Sequence, residues 1–152
     1  MAGLILESQN GSLNEVIINT TSTKKLSGKI NAYLAEDLES IQVIDSSIEG
    51  LTGGNKLQKI ILDGNNIPTL SSVPLIQPTI SELTNLTEFT LTNDNTLNGT
   101  LSSHKHDLGK ASNLKIYNIS NNNLSGPFHT LSANTAIERL DISSNSFAGL
   151  FP

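Results

Sequence analysis

The 152-residue sequence contains no cysteine and no tryptophan, only four phenylalanines and two tyrosines, and only nine lysines and arginines. Without cysteine there is no disulfide, no thiolate metal site and no cysteine nucleophile. Nine basic residues against fourteen acidic ones leave a formal net charge of -5. That balance argues against a nucleic-acid or anionic-membrane partner, because both need clustered Lys and Arg. Lys24 and Lys25 are the only adjacent basic pair. No apolar run approaches the roughly 20 residues that cross a bilayer, so membrane insertion is not expected. The opening MAGLILESQNG has no basic stretch and only Leu4 to Leu6 as an apolar run, too short for a signal peptide. It reads as a mature segment or as a protein that stays inside the cell.

What the chain does have is asparagine, serine and threonine, about a third of all residues, and a recurring pattern of apolar positions. In LKIYNISNNNLSGPF, Leu114, Tyr117, Ile119 and Leu124 stand at offsets zero, three, five and ten, with Asn122 at offset eight. Neither a helical period nor strict alternation fits the whole stretch. The same offsets return in LQKIILDGNNI as Leu57, Ile60, Leu62, Asn65 and Ile67, and in IERLDISSNSFAGLFP as Ile137, Leu140, Ile142, Asn145 and Phe147. LESIQVIDSSIEG follows them with Ser46 in the asparagine slot. LTEFTLTNDNTLNGTL has one extra residue, so Asp94 and Asn95 compete for the slot, with Asn95 taken as its occupant. LNEVIINTTSTKKLSGKI places Thr21 there. The starts at 13, 38, 57, 86, 114 and 137 are separated by 25, 19, 29, 28 and 23 residues, an irregular internal repeat.

The pattern L-x-x-L-x-L-x-x-N-x-L resembles the leucine-rich repeat family over about 140 residues. The trailing LSGKI, LNGTL, LSGPF and FAGLFP are similar to the L-x-G-x-I-P segment of its plant-type subfamily. The resemblance implies an α/β solenoid: a right-handed superhelix of about six coils, with a parallel sheet on the concave face. Short strands and irregular loops should dominate, with little helix, and residues 1–152 should form a single domain, whole or cut from a longer array. It also implies a second short sheet built from the L-x-G segments. NAYLAEDL and SSHKHDLG should return along the convex side as helical turns or loops.

Each coil should send its second and third apolar residues inward and the residue between them outward. An inward asparagine can both donate and accept, so Asn65, Asn95, Asn122 and Asn145 should form a ladder that satisfies turn N–H and C=O groups. With Thr21 and Ser46 in place of asparagine, the N-terminal end should be looser. The L-x-G glycines at 28, 50, 99, 126 and 149 should mark positive φ or close approach.

No nucleophile elbow, phosphate loop or H-E-x-x-H motif is present, so no enzyme activity and no cofactor are expected. His104, His106 and Asp107 are the one cluster of ligand types, and without a matching ligand elsewhere they read as a polar loop, not a metal site. Sequons at Asn10, Asn19, Asn85, Asn98, Asn118 and Asn123 are glycosylation candidates, although about four would arise by chance at this composition. The candidate ligand surface is the outward strand face: Lys59, Ile61 and Asp63; Glu88, Thr90 and Thr92; Ile116, Asn118 and Ser120; Arg139, Asp141 and Ser143. The resemblance implies a protein, peptide or glycan ligand there, and an extracellular or cell-surface location. Two other readings stand beside it: end-to-end self-association into a filament through uncapped coils, and ice binding by threonine and asparagine rows.

Overall fold

The computed structural model describes residues 4–8, 11–20, 25–67, 76–77, 82–94, 96–101, 111–128, 131 and 134–149. Among them the chain forms only strands and short turns, with no α-helix. In chain order the first strands are β1 (Leu4–Glu7), β2 (Glu15–Asn19), β3 (Ser27–Leu34), β4 (Ser40–Ile44), β5 (Ser47–Gly53) and β6 (Lys59–Asp63). They continue as β7 (Ile76–Gln77), β8 (Glu88–Thr92), β9 (Asn98–Thr100), β10 (Ile116–Asn118), β11 (Asn123–Gly126), β12 (Arg139–Asp141) and β13 (Ser146–Phe147).

The even-numbered strands build the main sheet, six parallel strands in the order β12-β10-β8-β6-β4-β2, one from each repeat. β-Branched and aromatic residues such as Val16, Ile41, Val43, Ile60 and Phe89 suit a pleated, half-buried surface. The register holds one inward column of Val16, Ile41, Ile60, Phe89, Tyr117 and Leu140. Beside it run Ile18, Val43, Leu62 and Leu91. Each coil buries its apolar edge only against its neighbours, so Ile41, Val43, Ile60 and Leu62 are fully buried while Val16, Ile18, Leu140 and Ile142 in the outer coils are half-buried. The architecture is a parallel β-solenoid of stacked coils, the fold that the leucine-rich repeat resemblance implies.

The second sheet appears as two parallel ladders, β1-β3-β5-β7 and β9-β11-β13. Its pairing is staggered by two residues per coil: Gly28 lies beside Ile48, Gly99 beside Leu124 and Gly126 beside Phe147. The glycine of one L-x-G segment therefore faces the apolar residue of the next. Gly126 has φ 79°, and a Cβ there would come within 2.9 Å of Thr100 Cγ2.

Two expectations differ from the structure. Asn31–Leu34 of NAYLAEDL do not turn back but continue β3, because β1 and β5 supply partners on both sides. Gly50 does not take positive φ, because β5 runs on through it to the turn at Gly53, φ 85°, where a Cβ would lie 2.5 Å from Tyr33 N. The N-terminal half carries the longest pairing, with eight residues in β3 and seven in β5 against three in β10 and β12.

Four of the six aromatic residues form one chain that runs from the buried Phe89 and Tyr117 to the partly buried Phe128 and Phe147. Phe89 stacks on Tyr117 at 6.0 Å between centroids, Tyr117 meets Phe128 at 6.4 Å, and Phe128 meets Phe147 edge-on at 5.5 Å. This chain crosses from the main sheet to the end of the second, and such pairs add about 0.5 to 1.5 kcal/mol each beyond area burial.

Candidate functional site

The outward face of the main sheet is positioned by the turn that ends each strand. The residue just before the asparagine slot is left-handed in five successive coils: Asp45 (φ 52°), Gly64 (φ 63°), Asn93 (φ 57°), Asn121 (φ 56°) and Ser144 (φ 54°). Asn, Asp and Gly tolerate that region best, which accounts for four of these five residues.

The slot residue then reaches back one coil. Asn65 Nδ2 donates to the Val43 carbonyl at 2.8 Å while its Oδ1 accepts from Ser46 N at 3.2 Å. Asn122 Nδ2 donates to the Leu91 and Ile119 carbonyls, both at 2.8 Å, and its Oδ1 accepts from Asp94 N at 3.0 Å. Asn145 Nδ2 donates to the Ile119 carbonyl at 2.8 Å and its Oδ1 accepts from Leu124 N at 3.1 Å. In the fourth coil the buried slot residue is Asp94, whose Oδ1 accepts from Ile67 N at 2.6 Å. Asn95, expected in that slot, lies outside the described residues, as does Thr21. In the second coil Ser46 Oγ lies 3.2 Å from Thr20 Oγ1. Asn121 and Asn123 are exposed.

With the turns held, three outward columns line up. The first runs Glu15, Ser40, Lys59, Glu88, Ile116, Arg139, and the middle one Ile17, Gln42, Ile61, Thr90, Asn118, Asp141. The third begins Asn19, Ile44, Asp63, Thr92, and Ser120 and Ser143 follow just beyond β10 and β12.

The polar members of this face largely bind one another. Lys59 Nζ pairs with Glu88 Oε2 at 3.2 Å, and Ser40 Oγ donates to Glu15 Oε1 at 3.3 Å. Asp63 Oδ1 accepts from Thr92 Oγ1 at 2.8 Å and from Asn93 Nδ2 at 2.6 Å. Asn118 Oδ1 accepts from Ser120 N and Oγ at 3.0 and 2.8 Å, and Asp141 Oδ1 accepts in the same way from Ser143 N and Oγ at 3.1 and 2.7 Å. The Ser143 hydroxyl, then its backbone N–H, hold the Asp141 carboxyl below the usual carboxylate range. Thr92 and Ser120, named from sequence as ligand residues, are buried.

Apolar members are accessible as well, beside the exposed Glu15, Asn19, Arg139 and Ser143. Ile17 is 59% exposed, and Ile44, Ile61 and Ile116 are partly exposed. Ile17 and Ile61 flank Gln42, with Ile44 in the adjoining column, so an isoleucine cluster occupies the N-terminal half of the face beside the Lys59–Glu88 pair and the Asp63 carboxylate. Ile44 was not singled out from sequence, although it stands at the same repeat offset as Asp63 and Thr92.

Among the sequons, Asn19, Asn85 and Asn123 are exposed, Asn98 donates to the Thr96 carbonyl at 3.2 Å, Asn118 is engaged as above, and Asn10 lies outside the described residues. His104, His106 and Asp107 also lie outside them. Among the described residues no group of three His, Asp or Glu could hold a metal ion, and no helix is long and apolar enough to cross a membrane. Away from the main sheet, Ala32, Tyr33, Glu36, Gly54, Asn55 and Lys56 line an open depression of about 260 Å³.

No family model and no curated protein matches the sequence. Among solved structures, the chain is similar to the LRR ectodomain of the plant membrane receptor kinase GASSHO1/SCHENGEN3 from Arabidopsis thaliana, in complex with CASPARIAN STRIP INTEGRITY FACTOR 2. That match has a TM-score of 0.67 and 20% identity, over 89% of this chain and 16% of the ectodomain. A second match is the plant peptide hormone receptor RGFR1 in complex with RGF2, with a TM-score of 0.51 and 16% identity, over 98% of this chain and 33% of that one. The chain therefore spans about a third or less of either ectodomain.

Proposed function

We propose, from the fold shared with these plant leucine-rich repeat ectodomains, that the chain is a non-enzymatic recognition module that lays an extended peptide or protein segment across the outward face of its main sheet. The observation that carries this reading is the cluster of Ile17, Ile44 and Ile61, accessible apolar side chains on a face where Lys59 pairs with Glu88 and Asp63 with Thr92. Covering each isoleucine with a partner stabilises a complex by about 1 kcal/mol or more. The Lys59–Glu88 pair and Asp63 at its border would orient a charged partner. The face carries no large aromatic anchor, so single-site affinity should be modest.

The two complexes named above support a peptide or protein partner over a glycan, and they support an extracellular or cell-surface location, with Asn19, Asn85 and Asn123 accessible for glycosylation. Ice binding draws no support from the outward columns, where threonine recurs only as Thr90 and Thr92 of one strand.

A displayed library of random linear peptides supplies the probe. Peptides selected on the protein should lose at least tenfold in affinity against Ile17→Ser/Ile61→Ser, about the loss expected for two truncated apolar contacts. Selected peptides that bind the double variant unchanged would place recognition elsewhere.

A further inference from the structure

Three ladder residues share one geometry. Asn65, Asn122 and Asn145 each send Nδ2 back to a carbonyl of the preceding coil, at Val43, Leu91 and Ile119. Those three carbonyls stand at the same repeat offset, and in the third coil that offset is Leu62, in register with both Val43 and Leu91. The residue placed to reach Leu62 is Asp94. Its Oδ1 does what the asparagine oxygens do, accepting from Ile67 N. Its Oδ2 stands where the others carry an NH₂, is buried, and has no hydrogen-bond partner among the described residues. An ionised carboxylate can only accept, so it would set its second oxygen against a carbonyl in a site with no water access.

We propose that Asp94 is held in the folded protein as a neutral carboxylic acid whose Oδ2–H donates to the Leu62 carbonyl, and that losing this proton to solvent at rising pH loosens the third and fourth coils. The acid mimics asparagine only while protonated, which makes this rung pH-sensitive.

The surrounding charges favour the neutral form. Burial, the largest influence, pushes the Asp94 carboxyl up, the Ile67 and Asn65 backbone N–H groups pull it down, and the Asp63 carboxylate of β6 adds to a rise that wins overall. From the other side the Asn121–Asn123 turn brings no charge, and on β8 itself Glu88 is paired with Lys59. No cation offsets Asp63 at this site among the described residues.

A folded pKa above the unfolded value means that the contribution is complete below the unfolded pKa and is lost as pH rises through the folded one. Two measurements on the whole chain test this. In the unaltered protein, ¹³C NMR of the carboxyl carbons from about pH 3 to pH 8 should show Asp94 titrating above the ordinary aspartate value, with Asp141 below it. A midpoint for Asp94 at or below the ordinary value would overturn the proposal. Urea unfolding of wild type and Asp94→Asn over the same range should show their folding constants diverging with pH, by up to about tenfold per pH unit between the unfolded and folded pKa values. Parallel pH profiles would overturn it equally, and the NMR titration stands even if Asp94→Asn does not fold.

Discussion

Asn122 Oδ1 accepts the backbone N–H of Asp94 at 3.0 Å, so a side chain of the fifth coil closes the turn of the fourth. The same carboxamide donates to the Leu91 and Ile119 carbonyls, which makes one buried asparagine responsible for three backbone groups in two coils. Asn122→Ala should therefore destabilise the protein by about 2 to 4 kcal/mol, since each orphaned buried group costs about 1 to 3. Asn145→Ala, at a half-buried position, should cost about 1 kcal/mol. Urea unfolding measures both, and equal small losses would remove the ladder from the account of stability.

Gly53 sits at φ 85° with Tyr33 N only 2.5 Å from where a Cβ would stand, whereas Gly11 has nothing within 4 Å. Gly53→Ala combines left-handed strain with a backbone clash and should cost about 2 to 4 kcal/mol. Gly11→Ala should be neutral or slightly stabilising by thermal melting.

Tyr117 lies at the centre of the aromatic chain and is fully buried, while Phe147 at its end is half-exposed. Tyr117→Ala should cost about 3 to 5 kcal/mol and Phe147→Ala clearly less. A double-mutant cycle between Phe128 and Phe147 should return a coupling of about 0.5 to 1.5 kcal/mol for their edge-on contact.

Asp141 is partly exposed and its carboxyl is lowered by the Ser143 hydroxyl and backbone. A depressed folded pKa contributes stability above the unfolded value and loses it as pH falls through the folded one, opposite in sign to Asp94. Ser143→Ala should raise the Asp141 pKa toward that of a free aspartate, read as a shifted carboxyl titration by NMR, with a small drop in melting temperature at neutral pH that disappears at low pH.

The repeat offsets were enough to read the solenoid and the strand register, because each inward column needs an apolar residue wherever coils stack. The left-handed column was not read, since Asp45, Gly64, Asn93, Asn121 and Ser144 share a backbone state and not a residue type. The aromatic chain escaped because Phe128 and Phe147 are distant in sequence and meet only when the second sheet stacks. Gly50 misled because an L-x-G motif looks alike whether the strand ends at its glycine or runs through it. On the candidate face, offsets placed the outward residues, but only the structure separates Thr92 and Ser120, turned to local partners, from the exposed Ile17 and the accessible Ile44.

The gradient in strand length also bears on how the chain is made. β3 and β5, the longest pair, and β2, β4 and β6 all lie within residues 15–63, and successive coils begin only 19 to 29 residues apart. Synthesis runs from the N-terminus, so the best-paired coils leave the ribosome first and need little further chain to close. Every later coil is then added to an existing template, and the three-residue strands β10 and β12, too short to nucleate alone, have only to extend it.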